Sequence, residues 1–269
     1  MNVLDLFSGI GGFSIGLERA GMRTIAFCEI DAEARKVLNK HWPNVPVFTD
    51  VTQLSKDNIN EKIDVLAGGF PCQDISTAGR GAGLSGSRSG LWFEYCRLID
   101  EIRPRYAIIE NVAALRRRGL GEVLRSLAEI GYDAEWHCIP ASALGAPHQR
   151  DRIWIIAYLA NAGGRRCGIS REWQMEQQGR TEIVGAGSVM ADADGAHSQG
   201  RRLSGGVYKK YADTVSKGWW EIEPSVGRVA NGVPRQPHRL KQLGNAVVPQ
   251  IPELIGRAIM EYERANALD

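Results

Sequence analysis

The chain has 269 residues, of which 43% are hydrophobic, 24% charged and 7% aromatic, an ordinary globular composition. No run approaches the roughly 18 apolar residues of a membrane span, and the start, MNVLDLFSGIGG, lacks the basic-then-apolar signature of a signal peptide, so a cytoplasmic protein is expected. Five scattered cysteines without a CxxC pair argue against a disulfide framework or a zinc site, and a net charge of +2 neither requires nor excludes nucleic acid.

The first part of the chain, to Leu159, alternates apolar, β-rich runs with amphipathic stretches. Asn2–Phe7 reads as a strand, followed by a Gly-rich turn and a helix over about Gly12–Ala20. Arg23–Cys28 reads as a second strand and Ala32–His41 as a second helix. Asp64–Leu66, Ala107–Glu110 and Ile153–Leu159 are short buried-strand candidates, with Leu91–Ile102 and Leu120–Ile130 helical between them. This alternation predicts βαβ units around a mostly parallel sheet, an α/β fold. The pattern dissolves after Leu159 into a Gly-, Arg-, Gln- and Ser-rich stretch, and order returns in Pro249–Ala267, a closing amphipathic helix with Pro252 in its first turn.

The charge is uneven: residues 161–240 hold 12 Lys and Arg against 8 Asp and Glu. A basic segment inside a near-neutral body fits a polyanion partner, and equally a solvated loop region. The layout is an ordered domain of residues 1–160 plus 226–269 interrupted by an irregular insert, 161–225.

Phe7-Ser8-Gly9-Ile10-Gly11-Gly12 lies between a strand and a helix, where glycines let the backbone turn sharply and approach a ligand. Glu29 ends the next strand, about 20 residues on, the position of a carboxylate that grips ribose hydroxyls. Asp50 follows the third apolar segment and can accept from an adenine amine. Together they favour an adenosine-containing cofactor over a purely structural turn. The turn itself does not separate a dinucleotide from S-adenosylmethionine.

Ala67-Gly68-Gly69-Phe70-Pro71-Cys72-Gln73 follows a buried strand, where α/β folds place active sites. A cysteine after Gly-Gly-x-Pro is set to be exposed and nucleophilic, whereas Cys28, Cys96 and Cys138 read as inert core. Glu110 ends another apolar strand, where a carboxylate costs stability unless paired or used. Arg150 and Arg152, at i and i+2 before Ile153-Trp154-Ile155-Ile156, are expected on the same side of a strand. There they can order a carboxylate, a carbonyl oxygen or a phosphate, or simply form a salt-bridged strand end.

These pieces resemble the C5-cytosine-specific DNA methyltransferase family, of prokaryotic or phage type. DLFSGIGG, CEID, TDV around Asp50, GGFPCQ, ENV, HQRDRIWIIA and LGNAVVPQI stand in family order. The resemblance covers roughly residues 1–160 and 225–269. It departs from the family at His148, where Gln usually opens Gln-x-Arg-x-Arg, and in its short recognition region. The resemblance implies a Rossmann-like S-adenosylmethionine-dependent domain, a small target-recognition insert at 161–225, and a flipped cytosine in a short duplex DNA site. It also implies a restriction-modification setting, a monomer, and no metal or membrane partner.

On the same resemblance, Cys72 attacks C6 of the base, Glu110 offsets charge at N3, Arg152 holds O2 and Arg150 orients Glu110 or the adjacent network. Phe7, Gly9, Gly11 and Gly12 line the methionine and ribose of S-adenosylmethionine. Glu29 binds the ribose, Ile30 packs on adenine and Asp50 reads its amine. Asn245 completes the pocket, which requires the C-terminus to fold back beside the N-terminus. The Gly/Ser-rich segment Gly79–Trp92 is expected to be a mobile lid over the DNA, with Ser76 and Arg88 on the backbone and Leu91 on the cofactor. Arg165, Arg166, Arg201, Arg202, Lys209 and Lys210 are the DNA-contact candidates of the insert.

Three competing readings remain. An RNA cytosine methyltransferase shares these motifs. A non-catalytic DNA-binding protein would keep only the fold, and a nucleotide-dependent oxidoreductase explains the glycine turn but neither PCQ nor ENV.

Overall fold

The computed structural model describes residues 1–71, 90–159 and 242–266. Strand β1 (Asn2–Leu6) leads through the glycine turn into α1 (Gly12–Arg19), β2 (Arg23–Cys28), α2 (Ala32–His41) and a two-residue β3 (Val47–Phe48). Then come β4 (Val65–Gly69), α3 (Leu91–Ile102), β5 (Tyr106–Val112), a short α4 (Leu115–Arg118), α5 (Leu120–Glu129), β6 (Tyr132–Pro140) and β7 (Asp151–Leu159). The closing helix is α6 (Gln250–Asn266).

The strands form one seven-stranded sheet in the order β3-β2-β1-β4-β5-β7-β6. Pairing is parallel from β3 to β5, and β7 runs antiparallel to both of its neighbours. The central runs are nearly continuous in apolar residues because helices cover both of their faces. On one face, Trp92, Leu98 and Ile99 of α3 and Val123 and Leu127 of α5 pack on Leu4, Leu6 and Leu66. On the other, Phe13 and Leu17 of α1 and Ile251, Leu254, Ile255 and Ile259 of α6 pack on Val3, Val65 and Ile108. The fold is Rossmann-like, as the alternation of strands and helices predicts. Strand order reverses between β1 and β4, and a ligand crevice opens at the carboxyl ends of strands at such a point.

Two segments differ from the sequence reading. Strand β4 runs on through Gly68 and Gly69, so the double glycine is strand and not loop. A Cβ on Gly68 would meet the Leu6 carbonyl oxygen at 2.3 Å, which explains glycine at a fully paired position. Strand β6 was not foreseen. It pairs along its whole length with β7 and is half-buried over most of it, with Asp133, Glu135 and His137 alternating with apolar residues.

The termini interlock through small residues. A Cβ on Gly16 of α1 would come within 2.2 Å of the Pro249 carbonyl oxygen, and one on Gly256 of α6 within 2.8 Å of the Ala20 Cβ. Glu253, buried in α6, pairs with Arg257 at 2.8 Å and lies 3.9 Å from Arg19 of α1. The closing helix therefore lies beside α1, as the expected pocket requires. Among the described residues, no helix is long and apolar enough to cross a membrane.

Candidate active site

At the carboxyl end of β1 the chain turns through backbone conformations that favour glycine. Gly9 has φ +54° and Gly11 φ +87°, and Phe7 shares the region at φ +52° despite its side chain. A Cβ on Gly9 would meet nothing within 4 Å, so its surroundings are open. Gly11 and Gly12 are also small for packing: Cβ atoms there would meet the Trp42 ring at 2.6 Å and the Val247 carbonyl oxygen at 2.6 Å. Phe7 stacks on Tyr95 with ring centroids 6.3 Å apart. Beneath the turn lies Asp5, fully buried, whose carboxylate accepts from Ser14 Oγ at 2.8 Å. Burial pushes its carboxyl up to about 7.

Of the expected cofactor residues, Glu29 is bonded directly to this turn. Glu29 accepts from the Gly9 amide at 2.7 Å through one oxygen and from the Asp31 amide at 2.7 Å through the other. A carboxylate held on two fixed amides keeps lone pairs available for a ribose diol. Ile30 follows at once and is 77% exposed, a large apolar side chain presented to solvent beside that carboxylate. Asp50 stands two residues past β3, and one of its oxygens accepts from both the amide and the hydroxyl of Thr52. Leu91 opens α3 and packs, half-buried, against the core. Asn245 is exposed in a helical turn over residues 242–245.

The second cluster lies at the carboxyl ends of β4 and β5. Glu110 is the register partner of Gly69, and a Cβ on Gly69 would sit 2.7 Å from Glu110 Oε2. Arg152 donates from Nε to Glu110 Oε1 at 3.0 Å, and the two side chains are only 23% and 14% exposed. Burial raises the Glu110 carboxyl above the usual carboxylate range, and the Arg152 and Arg150 guanidiniums oppose that rise. Asn111, buried, donates from Nδ2 to the Phe70 carbonyl at 3.1 Å and so fixes the chain just before Pro71. Sequence reasoning did not single out Asn111 by itself, although a buried amide at the end of an apolar strand signals a backbone partner. It also passed over Arg116, Arg117 and Arg118, an exposed run on α4, just beyond the carboxyl end of β5.

The arginine pair departs from expectation. Arg150 has φ +40°, outside β7, and this breaks the strand alternation that was to place both arginines on the same side. Its guanidinium donates to the Gly244 and Ala246 carbonyls at 2.9 and 2.6 Å. Of the two arginines it is Arg152 that contacts Glu110, while Arg150 is bonded to the neighbouring backbone. Arg150 reaches that carboxyl only through its charge.

Cys72, Ser76 and Arg88 lie outside the described residues, as do Arg165, Arg166, Arg201, Arg202, Lys209 and Lys210. Of the expected lid, the described end is helical: Trp92 is fully buried in α3. Burial pushes the thiols of Cys28 and Cys96 up to about 12 and about 11, which keeps them protonated and unreactive near neutrality.

A family model described as C-5 cytosine-specific DNA methylase matches residues 1–226. The Type II methyltransferase M.Eco47II of Escherichia coli is 32% identical over 82% of this chain and 54% of its own length. The Type II methyltransferase M2.BsuMI of Bacillus subtilis is 38% identical over 59% of this chain and 42% of its own length. The chain thus spans about half the length of the curated relatives it matches. Among solved structures, the S. pombe Dnmt2 methyltransferase superposes with a TM-score of 0.59 at 21% identity, covering 97% of this chain and 98% of that one. The Entamoeba histolytica methyltransferase EhMeth gives 0.62 at 15% identity, covering 99% and 98%. At such identities the likeness is one of fold. With its motifs in order on a Rossmann-like sheet and the family model spanning residues 1–226, the chain belongs to the C-5 cytosine-specific DNA methylase family.

Proposed function

We propose that this chain transfers a methyl group from S-adenosylmethionine to C5 of a flipped cytosine in a short duplex DNA site, through a covalent adduct with Cys72. The observation that carries the reading is the half-buried Glu110–Arg152 pair, held against Gly69 on the strand that leads to Pro71-Cys72.

Cytosine is a poor nucleophile at C5, so its aromaticity must first be broken. The Cys72 thiolate adds to C6, and the electron pair displaced from the C5–C6 bond moves toward N3 and O2. Glu110, whose carboxyl burial pushes upward, donates or shares a proton with N3 and offsets that charge. Arg152 holds Glu110 through Nε and donates from Nη1 to the Asp151 carbonyl at 2.8 Å, which leaves Nη2 as the donor for O2. C5 then acts as the nucleophile. After transfer, loss of the C5 proton to a base restores the double bond and expels the thiolate.

The cofactor residues fit S-adenosylmethionine. The open face of Gly9, the doubly anchored Glu29, the exposed Ile30 and the Asp50 carboxylate offer space, a ribose acceptor, an apolar platform and an amine acceptor. When bound, the cofactor supplies an electrophilic methyl on a sulfonium. Phosphate contacts come from the insert at 161–225 and from Arg116, Arg117 and Arg118. Residues 1–160 plus 226–269 form the catalytic body and 161–225 the reader of the DNA sequence.

The test is a trap. Duplex DNA bearing 5-fluorocytosine, incubated with protein and S-adenosylmethionine, should yield an adduct stable to denaturation, because fluorine cannot leave as a proton does. Cys72→Ser should give none while still binding cofactor. An adduct with tRNA and none with duplex DNA would replace the DNA reading by the RNA one, and no adduct with either would overturn both.

A further inference from the structure

We infer that Arg150 is a positioning residue of the cofactor pocket and not a part of the base site; the inference rests on the reading of the chain as an S-adenosylmethionine-dependent methyltransferase. Arg150 and Arg152 stand two residues apart, yet they serve different places. Arg152 takes the Glu110 carboxylate, while Arg150 turns through φ +40° and sends its two terminal nitrogens to the carbonyls of Gly244 and Ala246. Those carbonyls flank Asn245 on both sides, at the end of the helical turn over residues 242–245, where carbonyls lose their intrahelical partners.

An independent contact holds the same segment against α1. The Val247 carbonyl oxygen lies where a Cβ on Gly12 would be 2.6 Å away, and the Pro249 oxygen where one on Gly16 would be 2.2 Å away. Residues 244–249 are thus clamped by two contacts, the Arg150 guanidinium on residues 244 and 246 and the glycine face of α1 on residues 247 and 249, directly after the turn that carries Gly9. Two carbonyls two residues apart demand a planar fork with two donors on one rigid group. A lysine ammonium is a single point on a flexible stem. The chain therefore spends one arginine on the reacting base and the other on presenting the far end of the chain to the cofactor.

The experiment is calorimetry of S-adenosylmethionine binding to the full chain without DNA, for wild type, Arg150→Lys, Arg150→Met and Arg152→Met. It is paired with melting temperatures and the 5-fluorocytosine adduct yield at saturating cofactor. Arg150→Met should weaken cofactor binding roughly 10- to 100-fold, the loss expected of charge-assisted hydrogen bonds. Arg150→Lys should fall between it and wild type, and both should still form the adduct once cofactor is saturating. Arg152→Met should show the opposite split, with wild-type cofactor affinity and little adduct. Wild-type cofactor affinity in both Arg150 variants would overturn the inference, as would loss of adduct at saturating cofactor. Arg150→Lys keeps the charge and stem, so it carries the comparison if Arg150→Met fails to fold. Absence of cofactor binding in the wild type would instead count against the proposed function.

Discussion

The Cα of Gly69 lies under the carboxylate of Glu110, so closely that a methyl group there would stand 2.7 Å from Oε2. The atom that would be struck is the end of a flexible side chain, so the fold can yield while the placement of the carboxyl cannot. Gly69→Ala is expected to melt close to wild type and to lose single-turnover methyl transfer by about 10²–10³-fold, the scale of a misplaced general acid. A wild-type rate in a folded Gly69→Ala protein would separate Glu110 from the chemistry.

The pH profile carries a sign. Burial raises the Glu110 carboxyl, so its protonated form persists to higher pH than an ordinary carboxylate's, and the rate should fall as pH rises through that value. The thiolate requirement at Cys72 gives the opposite, acidic limb. Arg152 lowers the Glu110 value, so Arg152→Met should shift the alkaline limb to higher pH while cutting the rate about 10²–10³-fold. Glu110→Gln should abolish that limb. Single-turnover rates from about pH 6 to about pH 9 would check both, and an alkaline limb unmoved by Arg152→Met would assign it to another group.

Glu29 joins the turn to the proposed cofactor pocket. Glu29→Ala removes an acceptor from the Gly9 and Asp31 amides as well as the proposed ribose contact. Cofactor affinity should drop about 5- to 150-fold, corresponding to lost hydrogen bonds of roughly 1–3 kcal/mol. DNA affinity measured without cofactor should change little. Calorimetry with an unchanged dissociation constant would remove Glu29 from the pocket.

Two glycines should respond oppositely to alanine. At Gly16 the methyl would run into backbone, 2.2 Å from the Pro249 oxygen, and overpacking against α6 should cost about 1–3 kcal/mol or more. At Gly121, exposed near the start of α5, a Cβ meets nothing within 4 Å, and alanine should gain about 0.5–1 kcal/mol. Denaturant midpoints of the two variants test this, and a Gly16→Ala protein as stable as wild type would dissolve the proposed clamp on residues 244–249.

Much of this architecture is legible in the chain because the period and the punctuation agree. The α2 and α3 boundaries match those expected, α2 being fixed by Asp31, whose carboxylate accepts from the Glu33 and Ala34 amides. Strand β6 escaped notice because its polar residues mask an alternation that does exist: Tyr132, Ala134, Trp136 and Cys138 against Asp133, Glu135 and His137. The division of labour between the arginines was not readable for a different reason. It depends on one backbone angle at Arg150 and on carbonyls 94 and 96 residues away in sequence, and neither has a side-chain signature. Likewise, the glycines at 11 and 12 fit a ligand-binding turn by pattern, yet Trp42 and Val247 are what their small size accommodates.

The contact of α1 with residues 247–256 also sets an order of events during synthesis. Until the ribosome has released that stretch, the groove above Gly12 and Gly16 has no occupant, and Phe13 and Leu17 lack their covering helix. Domains fold as units while the chain emerges at about 5–20 residues per second. The nascent protein thus carries its glycine turn and Glu29 for roughly 10 to 40 s before the segment around Asn245 can seat. The seating of residues 247–256 on α1 is therefore a late event of synthesis, more than 200 residues after the turn and Glu29 have emerged.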